Sequence, residues 1–298
     1  MLHPARYICF QTIFGPKWVM VRKGDDYSRL SIVLPTLNEV GNVTRMVTEL
    51  FRLYPSAAVI IIDDGSKDGT MEAIQGMQST FPRLVLIERA MKKGLTGAIM
   101  EGMVAAKTEY LVVMDADFQH PPASVADVYA QLEDGADIVV GCRRTKGPLK
   151  LSRRLASSGA HKLAATYLWF RRQPRTRDLM SGFYGCRTAL AREVVLSKGE
   201  KFERRGFKVL FDLLKNCGRD VDLREVGFQF GDRFSGKSKL NSDIIISVMK
   251  QCGLGGKVAG YSVEFFIATR AGRMVGILIV FAIFGIALMM TGGKPGTP

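Results

Sequence analysis

The sequence predicts an α/β fold: a mostly parallel sheet with helices on both faces. Two observations carry that expectation. Short apolar runs rich in Val, Ile and Leu recur at 30–34, 58–62, 84–87, 110–114 and 137–140, each ending in a polar or glycine-containing turn, as buried parallel strands do. Between them lie stretches with helical texture at 43–54, 70–80 and 97–107, and strands alternating with helices indicate parallel pairing with crossovers.

Each strand end adds a chemical feature. The first apolar run closes in Pro35-Thr36-Leu37-Asn38-Glu39, where Asn38 also suits a helix cap. The second ends in Asp63-Asp64-Gly65-Ser66, a tight turn whose carboxylates can accept hydrogen bonds from a nucleotide base or ribose. The fourth ends in Asp115-Ala116-Asp117 with Gln119. Two carboxylates one residue apart at a strand tip can share a hard divalent cation, which completes its shell with diphosphate oxygens and water. Ligands of open α/β sheets bind beyond the carboxyl ends of the strands, so the three turns together describe a nucleotide pocket floored by a metal.

Cationic groups complement them. Arg143 and Arg144 follow the fifth apolar run, and Arg171, Arg172, Arg175 and Arg177 precede Asp178. Arg233, Lys237 and Lys239 follow a strand expected at 225–230, beyond a helix expected at 207–217. Guanidinium groups bind phosphate bidentately, which suits two phosphorylated substrates meeting at one site. The whole chain has a formal net charge of +14, pointing to anionic partners. Nucleic acid is set aside, because no reader motif is present.

The ends of the chain differ in texture. Residues 1–28, which lack a clear alternating or helical pattern, read as an untargeted basic extension, and 29–241 as the catalytic domain. Residues 242–273 hold apolar pieces broken by glycines and read as a juxtamembrane, interfacial segment. Residues 274–291 carry no charge and no proline, and their length fits one transmembrane helix. Arg270 and Arg273 at its start place the catalytic domain on the cytoplasmic side. Five cysteines without close pairing fit a reducing compartment.

The motifs in order are Pro35–Glu39, Asp63–Ser66, Asp115-Ala116-Asp117-Phe118-Gln119-His120-Pro121-Pro122, Ser181-Gly182-Phe183 and Arg233-x-x-Gly236-x-Ser238-Lys239. Over about residues 30–241 the chain thereby resembles the polyprenol-phosphate mannose synthases, inverting glycosyltransferases of family 2 with the Rossmann-like GT-A fold. The resemblance implies that Asp115, Asp117 and Gln119 hold Mg²⁺ or Mn²⁺. It implies that Pro35, Leu37, Glu39, Ile62, Asp64 and Ala116 line the nucleotide pocket, and that Arg143, Arg233 and Lys239 hold phosphates, with Asp117, Arg143 and Arg233 central to turnover. It further implies a nucleotide-sugar donor (GDP-mannose, with UDP-glucose the alternative), a polyprenyl or dolichyl phosphate acceptor, and a membrane setting with room for a partner subunit. Leu37, Thr96 and Tyr184 depart from the residues common in that family. A competing pattern, Gly231-x-x-x-x-Gly236-Lys237-Ser238, matches the phosphate loop of nucleoside triphosphatases, but the stretch between it and the expected membrane segment is too short for the sheet such a loop normally opens.

Overall fold

The computed structural model describes residues 5–12, 15–22, 26–89, 94–144, 161–162, 164–203 and 209–231, the first two segments as backbone only. The segments 242–273 and 274–291, with Arg233, Lys239 and the remainder of the 231–238 pattern, lie outside the described residues. Among the described residues no helix is long and apolar enough to cross a membrane.

Within 1–28, strands β1 (Ala5–Thr12) and β2 (Gly15–Arg22) form an antiparallel pair, with Ala5 opposite Arg22 and Thr12 opposite Gly15. The sequence showed no alternating or helical pattern there. The segments do hold Tyr7, Ile8, Phe10, Trp18, Val19 and Val21, residue types that favour strands.

The main sheet has seven described strands in the order β5-β4-β3-β6-β8-β7-β9. They are β3 (Leu30–Thr36), β4 (Ala58–Asp63), β5 (Leu84–Glu88), β6 (Tyr110–Val113), β7 (Ile138–Arg143), β8 (Tyr184–Arg187) and β9 (Leu223–Phe228). β3 pairs in parallel with both β4 and β6, β4 with β5, and β7 with β9. β8 runs antiparallel between β6 and β7. Its four residues, Tyr-Gly-Cys-Arg, hold no Val or Ile, so hydrophobic patterning leaves it hidden.

Both sheet faces are covered, and strand periodicity divides the core in two. Ile32, Leu34, Val59, Ile61, Val112 and Val139 point to one side. There they meet α1 (Val40–Leu53), α2 (Thr70–Met77) and α4 (Val125–Glu133) through Val43, Met46, Leu50, Ile74 and Val128. Val33, Ile60, Ile62, Leu111, Val113 and Val140 point to the other. That side is closed by α3 (Gly94–Ala105), helical residues 164–170 (α5), α6 (Thr188–Lys198) and α7 (Val209–Asn216). Each such side chain, fully buried, contributes roughly 1.5–3 kcal/mol relative to exposure. By contrast, the half-exposed Arg29–Glu109 pair (2.6 Å) on the rim is worth at most about 1 kcal/mol. The two-sided core, not surface pairing, holds the sheet.

Closeness of α3 to the sheet depends on Gly102. A Cβ there would stand 2.4 Å from Val33 Cγ1 and 2.6 Å from Ile62 Cδ1. Val33 is β-branched in a central strand and has little freedom to yield. Gly102→Ala should therefore lower stability by about 1–3 kcal/mol through overpacking, outweighing the helix-propensity gain of up to about 1 kcal/mol. Denaturant unfolding of the two proteins checks this, and an equally stable variant would contradict the close packing.

Candidate active site

The parallel register brings three strand ends to one level. Thr36 of β3 stands beside Asp63 of β4, and the backbone N–H of Asp64 donates to Thr36 O at 3.0 Å. On the other flank Met114 N–H donates to Val33 O at 3.1 Å, so the loop at Asp115 emerges beside that at Thr36.

The buried Asp63 carboxylate knots the first two ends together. It accepts from Thr36 Oγ1 (2.9 Å), the backbone N–H groups of Gly65 (3.0 Å) and Ser66 (2.7 Å), and Ser66 Oγ (2.6 Å). Four donors compensate a carboxylate removed from water. Cross-braces continue outward: Asn38 N–H donates to Ser66 Oγ at 2.8 Å, and Lys67 N–H to Asn38 Oδ1 at 2.9 Å. Glu39 N–H donates to Thr70 Oγ1 at 2.9 Å. Asn38 makes this turn with φ of 56°, the left-handed conformation that asparagine tolerates better than most residues. It braces two loops, whereas the helix it precedes has Glu39 at its N-cap with no side-chain cap bond.

Asp64, the other acid of the pair, turns toward the cleft. It forms a buried ion pair with Arg89, whose side chain also donates to Glu101 (3.0 Å) and to Gly94 O (3.2 Å), while Gly94 N–H donates to Asp64 at 3.1 Å. Arg89 follows β5 as Asp64 follows β4. Sequence reasoning passed over it, though its position directly after an apolar run was the available signal.

The third end is the loop after β6. Gln119 N–H donates to Asp117 Oδ1 at 3.0 Å, and Phe118 adopts φ of 65°, so the chain turns back sharply between the two residues. Asp117 is buried, while the Asp115 side chain is 45% exposed and opens on the cleft. His120, also unassigned from sequence, braces this loop. Its Nδ1 accepts from Asp115 N–H at 3.1 Å, which leaves the ring proton on Nε2. The imidazole stacks on Phe183 at 5.6 Å and meets Phe228 and Phe230 edge-on. Gly182 packs closely alongside: a Cβ there would lie 3.3 Å from His120 Cε1 and 3.4 Å from Asp115 Oδ2. Ser181 is a tie between strands: its hydroxyl donates to Gly141 O at 2.7 Å and accepts from Phe183 N–H at 3.1 Å.

Arg143 lines the same cleft as the carboxylates. Its guanidinium binds Asp178 bidentately (2.7 and 2.8 Å) and lies over the Phe230 ring at 5.5 Å. A third of the side chain remains exposed toward the cleft. Asp178 thus fixes the direction of Arg143, a role the sequence did not reveal.

These groups surround one cleft of about 370 Å³. Pro35, Leu37, Glu39, Asp64, Asp115, Ala116, Asp117, Gln119 and Arg143, all singled out from sequence, line it. Ile62 does not: it is fully buried against α3, because strand alternation sends its side chain down into the core one residue before the loop begins. Arg171, Arg172, Arg175 and Arg177 stand away from the cleft lining, and Arg177 is paired with Glu225. Of the 231–238 pattern only Gly231 is described, and its N–H donates to Gln119 O at 3.0 Å. Among the described residues no three His, Cys, Asp or Glu side chains could enclose a metal by themselves. Asp115, Asp117 and Gln119 line the cleft and carry hard oxygen donors, the type that suits a cation drawing its remaining ligands from a diphosphate and water.

The profile described as Glycosyl transferase family 2 matches residues 31–197. The chain belongs to that family. A dolichol-phosphate mannosyltransferase of Mycosarcoma maydis is 32% identical over 235 residues, covering 74% of this chain and 76% of the relative. A dolichol-phosphate mannosyltransferase of Pyrococcus furiosus is 32% identical over 272 residues, covering 87% and 74%. Among solved structures, the glucosyl-3-phosphoglycerate synthase of Mycobacterium tuberculosis, in complex with Mn²⁺, UDP-glucose and phosphoglyceric acid, superposes with a TM-score of 0.54 at 19% identity. That match covers 76% of this chain and 80% of the other, and shows a shared fold. The glycosyltransferase fold expected from the sequence is therefore present, with one antiparallel strand inside the sheet.

The Arg89–Asp64 pair yields a direct test. Removing one partner of a buried ion pair leaves the other charge uncompensated, at a cost of about 3–5 kcal/mol. Arg89→Met should destabilise the protein by that order in thermal or denaturant unfolding, and Asp64→Asn added to it should recover part of the loss. A loss in Arg89→Met below about 1 kcal/mol would contradict the arrangement.

Proposed function

We propose that this glycosyltransferase moves mannose from GDP-mannose to the phosphate of a polyprenyl or dolichyl lipid, with inversion at the anomeric carbon. The observation that carries the reading is the name shared by both curated relatives, dolichol-phosphate mannosyltransferase, at 32% identity over most of each chain. The geometry supports it, because carboxylates and a guanidinium held by Asp178 line one cleft at the strand ends.

In this reading Asp64 accepts N–H groups of the base, with Arg89 holding its carboxylate in place. Pro35, Leu37, Glu39 and Ala116 shape the walls of the nucleotide pocket, and Ile62 supports that wall from beneath. Asp115, Asp117 and Gln119 would hold Mg²⁺ or Mn²⁺; a cation there supplies positive charge to the departing nucleotide diphosphate. Arg143, aimed by Asp178, stabilises phosphate charge as it accumulates. Arg233 and Lys239 are assigned the same task by resemblance. The acceptor is a phosphate monoester, already anionic near neutral pH, so its oxygen attacks the face opposite the leaving group without a strong general base. Cleavage of the anomeric C–O bond gives an oxocarbenium-like transition state, as in other glycosyl transfers. Such an acceptor places the enzyme at a membrane. Residues 242–273 are assigned to the interface, 274–291 to a single span with the catalytic domain cytoplasmic, and a membrane partner subunit is compatible with that anchor.

Asp117→Ala should abolish transfer, to below about one-hundredth of the wild-type rate given the usual weight of electrostatic stabilisation, while the protein stays folded by circular dichroism. Membranes carrying either protein, supplied with labelled GDP-mannose or UDP-glucose, polyprenyl phosphate and Mg²⁺ or Mn²⁺, provide the assay. Chelator-sensitive label in lipid from GDP-mannose is the expected result. Label from UDP-glucose alone would replace the donor, and near-normal turnover in Asp117→Ala would overturn the metal assignment.

A further inference from the structure

Away from the cleft, the C-terminal end of α5 carries two large aromatic side chains in the open. Trp169 is 54% and Phe170 63% exposed, and their rings meet edge-on at 4.8 Å. Ala164 and Leu168 of the same helix are fully buried in the core, so the aromatic pair forms its outer side. The helix stops in a tight turn: Arg172 adopts φ of 54°, Arg172 N–H donates to Trp169 O at 3.0 Å and Gln173 N–H to Leu168 O at 2.9 Å. That turn sets Arg171 and Arg172, together with Phe170 and Arg219, around a shallow notch of about 330 Å³.

The described lining of this notch holds three arginines and no carboxylate. Several arginines elsewhere in the described chain are matched to carboxylates, as Arg143 is to Asp178, Arg187 to Asp137 and Arg224 to Asp134. Arg171, Arg172 and Arg219 have no such partner among the described residues. Three guanidinium groups lining one concavity suit an anionic phosphate. Tryptophan and phenylalanine beside them suit the boundary between headgroups and acyl chains, where an aromatic body is buried and its polar edge stays wet.

We propose that this surface docks on a bilayer containing anionic phospholipid. Trp169 and Phe170 enter the headgroup–acyl boundary, and the arginine notch receives a lipid phosphate. A lipid surface is favoured over a protein partner because apolar rings and unpaired positive charge lie side by side, the pattern of interfacial helices, on a chain of net charge +14. The position is also apt. Residues 173–180 run from this turn directly to Asp178, which aims Arg143, and to Met180, which lines the cleft. Docking here would hold the wall of the cleft beside the membrane. The inference rests on the lipid-acceptor reading for its purpose, though not on which sugar is moved.

Trp18 and Trp169 are the only tryptophans, so Trp18→Phe makes Trp169 a single reporter in the full chain. That protein would be reconstituted into vesicles of phosphatidylcholine alone or mixed with an anionic phospholipid, with bromine near the top of the acyl chains as quencher. Trp169 emission should shift to the blue and be quenched by the lipid, more strongly in anionic vesicles. Replacing Arg171, Arg172 and Arg219 with Gln in the same background should reduce the quenching to the level on neutral vesicles. Emission that stays unquenched by lipid and open to aqueous iodide in both vesicles would overturn the proposal. So would a response to an acidic peptide or inorganic phosphate without one to vesicles. Sugar transfer measured on the same samples separates the two readings: transfer with an unquenched Trp169 sinks the docking surface alone, whereas quenching without transfer leaves docking intact and sinks the proposed reaction.

Discussion

The whole arrangement of the site depends on one buried carboxylate. Asp63 ends β4, yet its side chain gathers donors from β3 and from its own loop. A carboxylate without partners in that position would be costly to bury. With four donors it instead fixes where two strand ends lie relative to each other. Everything nearer the solvent is built on that knot: Ser66 positions Asn38, Asn38 positions Lys67, and Asp64 is left as the acid that faces the cleft.

Adjacent, chemically identical residues are therefore placed differently. Asp63 is inside and satisfied by hydroxyl and backbone donors; Asp64 is paired with Arg89 at the edge of the cleft. A similar division occurs after β6. Asp117 is buried and caps the turn at Gln119, whereas Asp115 is half open and braced from behind by His120. Rigid support beneath exposed oxygen atoms is what a site needs if it is to hold charge in place without reorganising. Asp178 does for Arg143 what His120 does for Asp115.

The sequence made the central sheet and the strand-end chemistry readable because both are local. Apolar runs mark β3, β4, β5, β6 and β7, and the motifs stand directly after three of them. Hidden features depend on contacts between distant segments. Arg89 and Asp64 are 25 residues apart, Arg143 and Asp178 35 apart, and no spacing rule joins either pair. β8 is too short and too polar to stand out, and it runs against its neighbours, so the sheet is less uniformly parallel than the alternation of strands and helices suggested. Ile62 was assigned to the pocket wall by the family resemblance, but the two-residue period of β4 turns it into the core. The membrane segments were inferred from composition and length and lie outside the described residues.

Hydrogen–deuterium exchange of the full chain, with and without GDP and Mn²⁺, tests the central claim most directly. If the three strand ends form one donor site over the Asp63 knot, nucleotide should slow exchange together in 35–40, 63–70 and 115–120. Protection restricted to one of these loops, or appearing only elsewhere in the chain, would contradict it.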